Sequence, residues 1–339
     1  MKAAVFYEPR DIRTEEVEMP EIENNEILVK VKACGICGSD LHMYKLGLFS
    51  QFLCRDLKKG GIPGHEFSGE VVKVGRRVRK IKEGDRVAAV FNGGMAEYNP
   101  VPVYQGFNVH ILPSEVSYEE AATLEPLANS VHATLRANPS KGENAVIFGA
   151  GAIGLGIVQC LRALEVGMKK IIVVDISDHR LKVAKQLGAD EVINASADDP
   201  NEKILDFVGS VPIMLVPTIT TPAVDIVYDC VGYMKEHKGP IVLQQAIDMI
   251  QPSTGRIIEH GIFEDAVPLN LSIMVGKQIS IIGSFGCTPE EVRECIKLLQ
   301  NRSIDRSKII SHEFPLDKAK EAFETQCNIN ESVKVLIKP

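Results

Sequence analysis

Cysteine is sparse in this sequence: eight residues are scattered through 339 with no disulfide-framework spacing. That pattern excludes a small cross-linked secreted scaffold and suits a reducing cytoplasm. The opening MKAAVFYEPR lacks the apolar core of a secretory signal. No apolar run approaches the ~20 residues that a membrane span requires. Cationic excess is missing as well: 38 Lys and Arg stand against 45 Asp and Glu, a net charge of -7. The electrostatic footprint of a nucleic-acid binder is therefore absent, and small molecules are the expected partners. Neither an internal repeat nor a low-complexity segment interrupts the chain. What is present is an ordinary soluble composition, 45% hydrophobic and 24% charged, in a chain about twice the length of a typical domain. Two domains are expected.

The texture changes along the chain. Up to about residue 110, short β-type runs (AAVFY, ILVKVKAC, FSGEVVKV, DRVAAVF) are broken by Gly and Pro, so this part reads as mostly β. After about residue 140, six apolar strands alternate with helical stretches: NAVIF, KKIIVVD, DEVINA, VDIVYDC, GRIIEHG and QISIIGS. Alternation of this kind predicts a parallel sheet wrapped by helices. Ile153, Ile157, Leu161 and Leu164 recur every three to four residues and predict a helix with one apolar face. VGSVPIMLVPTITTPA reads as a loop between units. The tail holds an amphipathic stretch, PEEVRECIKLLQ, then KAKEAFET and a strand-like SVKVLI.

NAVIF runs straight into GAGAIG, which supplies Gly149, Gly151 and Gly154 in the spacing G-x-G-x-x-G between a strand and a helix. In that context the first glycine makes the tight turn. The second lets backbone approach a pyrophosphate, and the third lets helix and strand pack closely, with the helix N-terminus facing the anion. The next strand ends in Asp175, placed to accept hydrogen bonds from the adenosine ribose hydroxyls and to repel a 2′-phosphate, which favours NAD over NADP. Ile153 lies within the turn, and Arg180 is positioned to cover the adenine side or to sit as an exposed helix arginine. The alternative for the whole motif is a glycine turn beside an incidental surface aspartate.

Two clusters in the β-rich part carry metal-type donors: KACGICGSDLH at 32–42 and GIPGHEFSGEVVKVG at 61–75. Cys34 and Cys37 form a CxxC, but no second CxxC or paired His follows at zinc-finger spacing, so only one of these cysteines is a candidate ligand. A catalytic zinc takes about three protein ligands and keeps an exchangeable position. Cys37, His65 and Glu66 supply such a set, with Glu125 in TLEPLA as a fourth candidate. Each donor taken alone is equally readable as a buried thiol or a helix-start glutamate.

These residues carry a resemblance. GHEFSGEVVKVGRRV fits the G-H-E-x2-G-x5-G-x2-V signature of the zinc-containing alcohol dehydrogenases of the medium-chain family. KACGICGSDLH, GDRVA, GGMAEY, EEAATLEPLANSVHA, GAGAIG and KQISIIGSF follow in the family's order. The chain looks most like the sorbitol, threonine and polyol dehydrogenase branch, where a pair such as Glu125-Pro126 replaces a cysteine ligand. The resemblance implies a fold of two parts. A discontinuous GroES-like catalytic domain would comprise residues 1–140 and 285–339, and a doubly wound, six-stranded Rossmann domain would comprise 141–284. It implies one catalytic zinc in the cleft, on Cys37, His65 and Glu66, with Glu125 bound directly or through water. Lewis-acid activation of the substrate hydroxyl and hydride transfer to NAD would follow. Ser39 would be the relay hydroxyl, His42 a next station for the proton, and Asp40 the group that orients a ligand imidazole. Glu66 counts with Ser39 and His42 among the catalytic residues. Ser39 also reads as a helix N-cap.

The chain departs from the family in three places. VAAVFNGGMAEY contains none of the four cysteines of a structural-zinc lobe, so no structural zinc is expected, and a homodimer or homotetramer is expected without the subunit contacts of that lobe. SFGC at 284–287 lacks the arginine and aromatic of sorbitol dehydrogenases. LFSQFLCRDLKKGG lengthens the segment between Cys37 and His65, with Cys54 read as a bystander thiol. Tyr44, Phe49, Phe91 and Phe285 are expected around the substrate. The function implied is oxidation of a secondary alcohol of a small polyol or cyclitol to a ketone. The alternatives are an amino-alcohol dehydrogenase, a zinc-free reductase and a non-catalytic NAD-binding structural protein. His110, His132, His179, His237, His260 and His312 lie outside the motifs and read as surface or core residues.

Overall fold

The computed structural model describes residues 1–52, 60–104, 106–213, 216–235 and 239–339; Cys54 and His237 lie outside them. The chain divides into two compact units, Met1–Pro126 with Thr288–Pro339, and Leu127–Cys287. The first division falls inside the helix Leu124–Ala137, earlier in the chain than residue 140.

In the first unit the strand Glu26–Gly35 is the centre of the sheet. It alternates Ile27, Val29 and Val31 inward with lysines outward, and it pairs with Glu66–Val74, Tyr98–Pro102 and Lys334–Lys338. The strand order is Ile310–Pro315, Lys334–Lys338, Glu26–Gly35, Glu66–Val74, Arg86–Ala89, Val109–Ile111. The C-terminal segment thus closes the sheet built by the N-terminal one. Leu336 lies opposite Gly35, and Ile337 opposite Cys34. PEEVRECIKLLQ is the helix Pro289–Gln300, begun by a capping box between Thr288 and Glu291, as Pro at its first turn and Glu three residues past the cap predict.

In the second unit all six expected strands form one parallel sheet among the described residues. Their order is Glu191–Asn194, Lys170–Asp175, Asn144–Phe148, Ile226–Asp229, Arg256–Glu259, Ser280–Gly283. This is a doubly wound sheet that reverses direction beside Asn144–Phe148, where such folds bind nucleotides. The helix Ala152–Ala163 departs from the one-faced expectation: every residue from Gly154 to Leu161 is buried. VGSVPIMLVPTITTPA is not a loop. Ser210–Ile213 and Val216–Pro222 pair as an antiparallel hairpin, with Val211 opposite Thr221. The β-branched residues outweigh the prolines because a two-stranded ribbon has free outer edges, where a missing N–H costs nothing.

Lys277 is a buried cation that the sequence reading did not single out. Its Nζ donates to Thr221 Oγ1 at 3.1 Å, to the carbonyls of Ile247 (3.2 Å) and Ile250 (2.9 Å), and to that of Asp248. It caps the C-terminus of the helix Val242–Met249 from outside the helix. Lys277→Met is expected to orphan these carbonyls and to lower unfolding stability by about 3 kcal/mol, measured by urea denaturation.

Candidate functional site

The site begins where two strands end side by side. Gly35, last in its strand, lies opposite Glu66, first in the next. A Cβ on Gly35 would meet Glu66 Oε2 at 2.6 Å and Lys334 Cε at 2.7 Å, so only glycine admits the ion pair packed against it. Two residues on, Cys37 is the N-cap of the helix Gly38–Leu46. Asp40 Oδ2 accepts the Cys37 amide at 2.9 Å, and its Oδ1 lies 3.9 Å from His65 Nδ1. The N-cap is therefore Cys37, and Ser39 sits half-buried in the first turn, because Asp40 stands at the position that completes a capping box with Cys37.

Cys37, His65 and Glu66 each offer one ligand atom, and these atoms all lie within 4.8 Å of one another. Cys34 is fully buried in the core instead, its Sγ 3.7 Å from the Gly35 carbonyl. Glu125 stands outside this three-donor group and, from the first turn of its helix, adds to the negative field on Lys334. Glu66 Oε2 pairs with the buried Lys334 ammonium, which also donates to the Ile36 carbonyl at 2.9 Å. Glu66 Oε1 is buried and has no hydrogen-bond partner among the described residues. An orphaned buried carboxylate oxygen is costly, and a cation facing it removes the cost. With a thiol and an imidazole beside the same carboxylate, the S, N and O donors fit a zinc ion.

The charges act on one another. Burial pushes the Cys37 thiol up, with the Glu66 charge adding to it and His65 opposing. Burial pulls His65 down, but Cys37, Asp40 and Glu66 outweigh it and lift the imidazole well above its ordinary value. Burial pushes Glu66 up, but Lys334 and His65 outweigh it and hold the carboxyl below its ordinary value. Lys334 escaped the sequence reading; its only signal was a lysine inside the apolar strand SVKVLI.

In the second unit the strand Asn144–Phe148 is wholly buried and leads into Gly149, whose φ of 93° requires a residue without a Cβ. A Cβ on Gly154 would lie 1.9 Å from the Gly149 carbonyl oxygen. Gly151 is the N-cap of Ala152–Ala163 and provides no side-chain cap, and a helix N-terminus following such a turn suits an anion. Ile153 is half-buried in that turn, and its carbonyl accepts from Ser130 Oγ at 3.0 Å. Asp175 ends the neighbouring strand, accepting the Ala150 amide on Oδ2 at 2.6 Å and the Ser177 amide on Oδ1 at 2.9 Å. Arg180, on the helix Asp178–Gln186, is pulled down by burial and lifted by the Asp175 charge. Turn, acid and arginine are thus neighbours.

The expected aromatics differ in burial and partners. His42 meets Phe49 edge-on with centroids 6.4 Å apart. Phe91 packs half-buried against the core of the first unit, and Phe285 is 95% exposed. Tyr44 is not a pocket residue: it is fully buried, its hydroxyl donating to Glu324 Oε1 at 2.6 Å and its ring tilted on Phe323. Its place on the helix turns it into the core.

Residues 23–111 match the alcohol dehydrogenase GroES-like domain and residues 152–301 the zinc-binding dehydrogenase domain. Sorbitol dehydrogenase of Bos taurus is 32% identical over 98% of this chain and 95% of its own. The 2R,3R-butanediol dehydrogenase structure from Bacillus subtilis superposes with a TM-score of 0.83 at 30% identity, covering 100% of this chain and 99% of that one. An alcohol dehydrogenase from Escherichia coli CFT073, solved with NADH, gives a TM-score of 0.83 at 27% identity, covering 100% and 99%. The expected GroES-like and Rossmann architecture is present, and the chain is an enzyme of the zinc-binding alcohol dehydrogenase family, in the company of its sorbitol dehydrogenases.

Proposed function

We propose that this enzyme oxidises a secondary alcohol of a small polyol or cyclitol to the ketone, with NAD as hydride acceptor and one zinc ion held by Cys37, His65 and Glu66. The observation that carries this reading is the convergence of a thiol, an imidazole and a buried carboxylate, one oxygen of which has no partner among the described residues. When bound, zinc supplies Lewis acidity that lowers the pKa of the substrate hydroxyl, and NAD supplies the hydride acceptor. Asp40, with Oδ1 3.9 Å from His65 Nδ1, holds a negative charge beside that ring. Glu125, outside the inner three donors, would join directly or through water. Ser39 Oγ takes the hydroxyl proton and hands it to the His42 ring nitrogen and solvent. Gly149, Gly151, Ile153, Gly154 and Arg180 cradle the dinucleotide, and Asp175 receives its adenosine ribose. A cytoplasmic homo-oligomer without structural zinc completes the reading. Seven free cysteines among the described residues support a reducing compartment, and among those residues no helix is long and apolar enough to cross a membrane.

The test is NAD reduction, followed by absorbance, against linear polyols, inositols, diols, aminocyclitols and threonine. Turnover confined to the amino alcohols, or turnover with no bound zinc, overturns the reading. Asp175→Ala is expected to raise the KM for NAD about 10- to 100-fold, as loss of a charge-assisted ribose contact implies, and to narrow the preference over NADP. An unchanged KM would remove Asp175 from the site.

A further inference from the structure

Two acids occupy matching positions on adjacent strands of the parallel sheet, well away from the zinc donors in the chain. Asp229 ends Ile226–Asp229 and Glu259 ends Arg256–Glu259, and the two are register partners. Side chains at paired positions of neighbouring strands leave the sheet on the same face. Each acid spends one oxygen on the turn that follows it. Asp229 Oδ1 accepts the amides of Val231 and Gly232, both at 2.9 Å. Glu259 Oε1 accepts the amide of Gly261 at 2.9 Å. The other oxygens, Asp229 Oδ2 and Glu259 Oε2, are buried and have no partner among the described residues.

Two carboxylates are acceptors only, so the facing oxygens bond only when one of them carries a proton. Among the described residues no cation offsets the pair: the groups that act on it are the two acids themselves and their following backbone amides. The third titratable group facing them is the Cys230 thiol, which burial and both acids keep protonated. His260, next in the chain, turns instead to Ser284 Oγ at 3.3 Å and is lowered to about 4 by burial and by His132. Burial and the Asp229 charge push Glu259 up to about 9, and burial also raises Asp229.

The two turns are interlocked. A Cβ on Gly261 would lie 2.0 Å from the Gly232 nitrogen, and the Tyr233 amide donates to the Ile262 carbonyl at 3.0 Å. Val231 in turn rests on the nucleotide turn: a Cβ on Gly149 would meet Val231 Cγ2 at 2.9 Å.

We propose that Asp229 and Glu259 share one proton at neutral pH, and that this proton is a latch holding the turns after their strands against the Gly149 turn. In alkali the proton leaves to solvent, the O–H···O bond is lost, and two like charges remain side by side in a buried place. The turns then loosen, and with them the support of the dinucleotide site. The latch stands independently of the proposed activity; its consequence for the cofactor rests on the NAD reading above. Asp229 and Glu259 are positioning residues and touch no reacting atom.

The test compares wild type with Glu259→Gln, whose amide donates to Asp229 at every pH. Amide hydrogen exchange in segments 226–235 and 256–264 is followed from pH 7 to 10.5, corrected for the intrinsic rate, alongside NADH binding by fluorescence. The expected result is a loss of protection of at least about tenfold in wild type above about pH 9, with none in the variant. One protonation step in a shared acid pair gives a profile of that form. Identical profiles for the two proteins, or protection in wild type that does not change with pH, overturn the latch. NADH affinity that falls with protection in wild type and holds in Glu259→Gln supports the link to the cofactor. A pH-sensitive latch with unchanged NADH affinity, or with no NADH binding at any pH, overturns that link and leaves the latch standing.

Discussion

Cys37→Ser is expected to lose the metal and at least about 10³-fold in kcat/KM, equivalent to about 4 kcal/mol of transition-state stabilisation. The substitution separates chemistry from folding. Cys37 is the N-cap of the helix Gly38–Leu46, and its partner Asp40 accepts a backbone amide, so serine preserves the cap. What serine removes is a thiolate ligand, and a hydroxyl is a poor substitute at that position. The measurements are metal content, steady-state kinetics and the thermal midpoint on the same preparation. Full activity with unchanged zinc would remove Cys37 from the ligand set. A large fall in midpoint would show that the thiol acts through the fold. Exhaustive chelation of the wild type is expected to reproduce the kinetic loss, with recovery on adding zinc.

Lys334→Met is expected to destabilise the metal-free protein by about 3–5 kcal/mol, because it strands a buried carboxylate. Glu66 is 1% exposed, and Lys334 is the partner of its Oε2. In the wild type the Glu66 carboxyl is held below its unfolded value of 4.5, so its stabilising share is present above that value and is lost as pH falls. In the variant burial acts without the lysine, and the carboxyl moves upward. The folded state then holds a proton that the unfolded state has released, and stability declines as pH rises past about 4.5. The gap between the two proteins should therefore widen from pH 5 to pH 8, read by urea unfolding at each pH. A gap that is constant with pH would mean that Lys334 contributes through packing alone. Lys334→Arg, which keeps the charge, is expected to recover part of the loss. Bound zinc should narrow the gap, since it gives Glu66 a second cation.

The nucleotide unit was largely legible because its information is local. Strand, glycine turn and helix follow one another from Asn144 to Ala163, and the six strands announced themselves as short apolar runs. The hairpin at Ser210–Pro222 reads as a loop in the sequence because its two short, irregular runs do not reveal that they pair with each other. Tyr44 was misread for a related reason: spacing does not give the direction of a side chain on a short helix, and this one points into the core.

By itself the sequence determined the chemistry available: a thiol, an imidazole and carboxylates in two motifs, and an acid placed after a glycine turn. It determined the two kinds of fold as well, since the change from β runs to alternating strands and helices is a property of the chain order. The tertiary structure decided which groups meet. Lys334 lies 268 residues from Glu66 and reaches it because the last strand of the chain pairs with the strand that ends at Gly35. Glu259 lies beside Asp229 because two parallel strands, separated by a helix, align in register. No local pattern encodes either pairing; each follows from strand register, which is set by the packing of whole faces against a core.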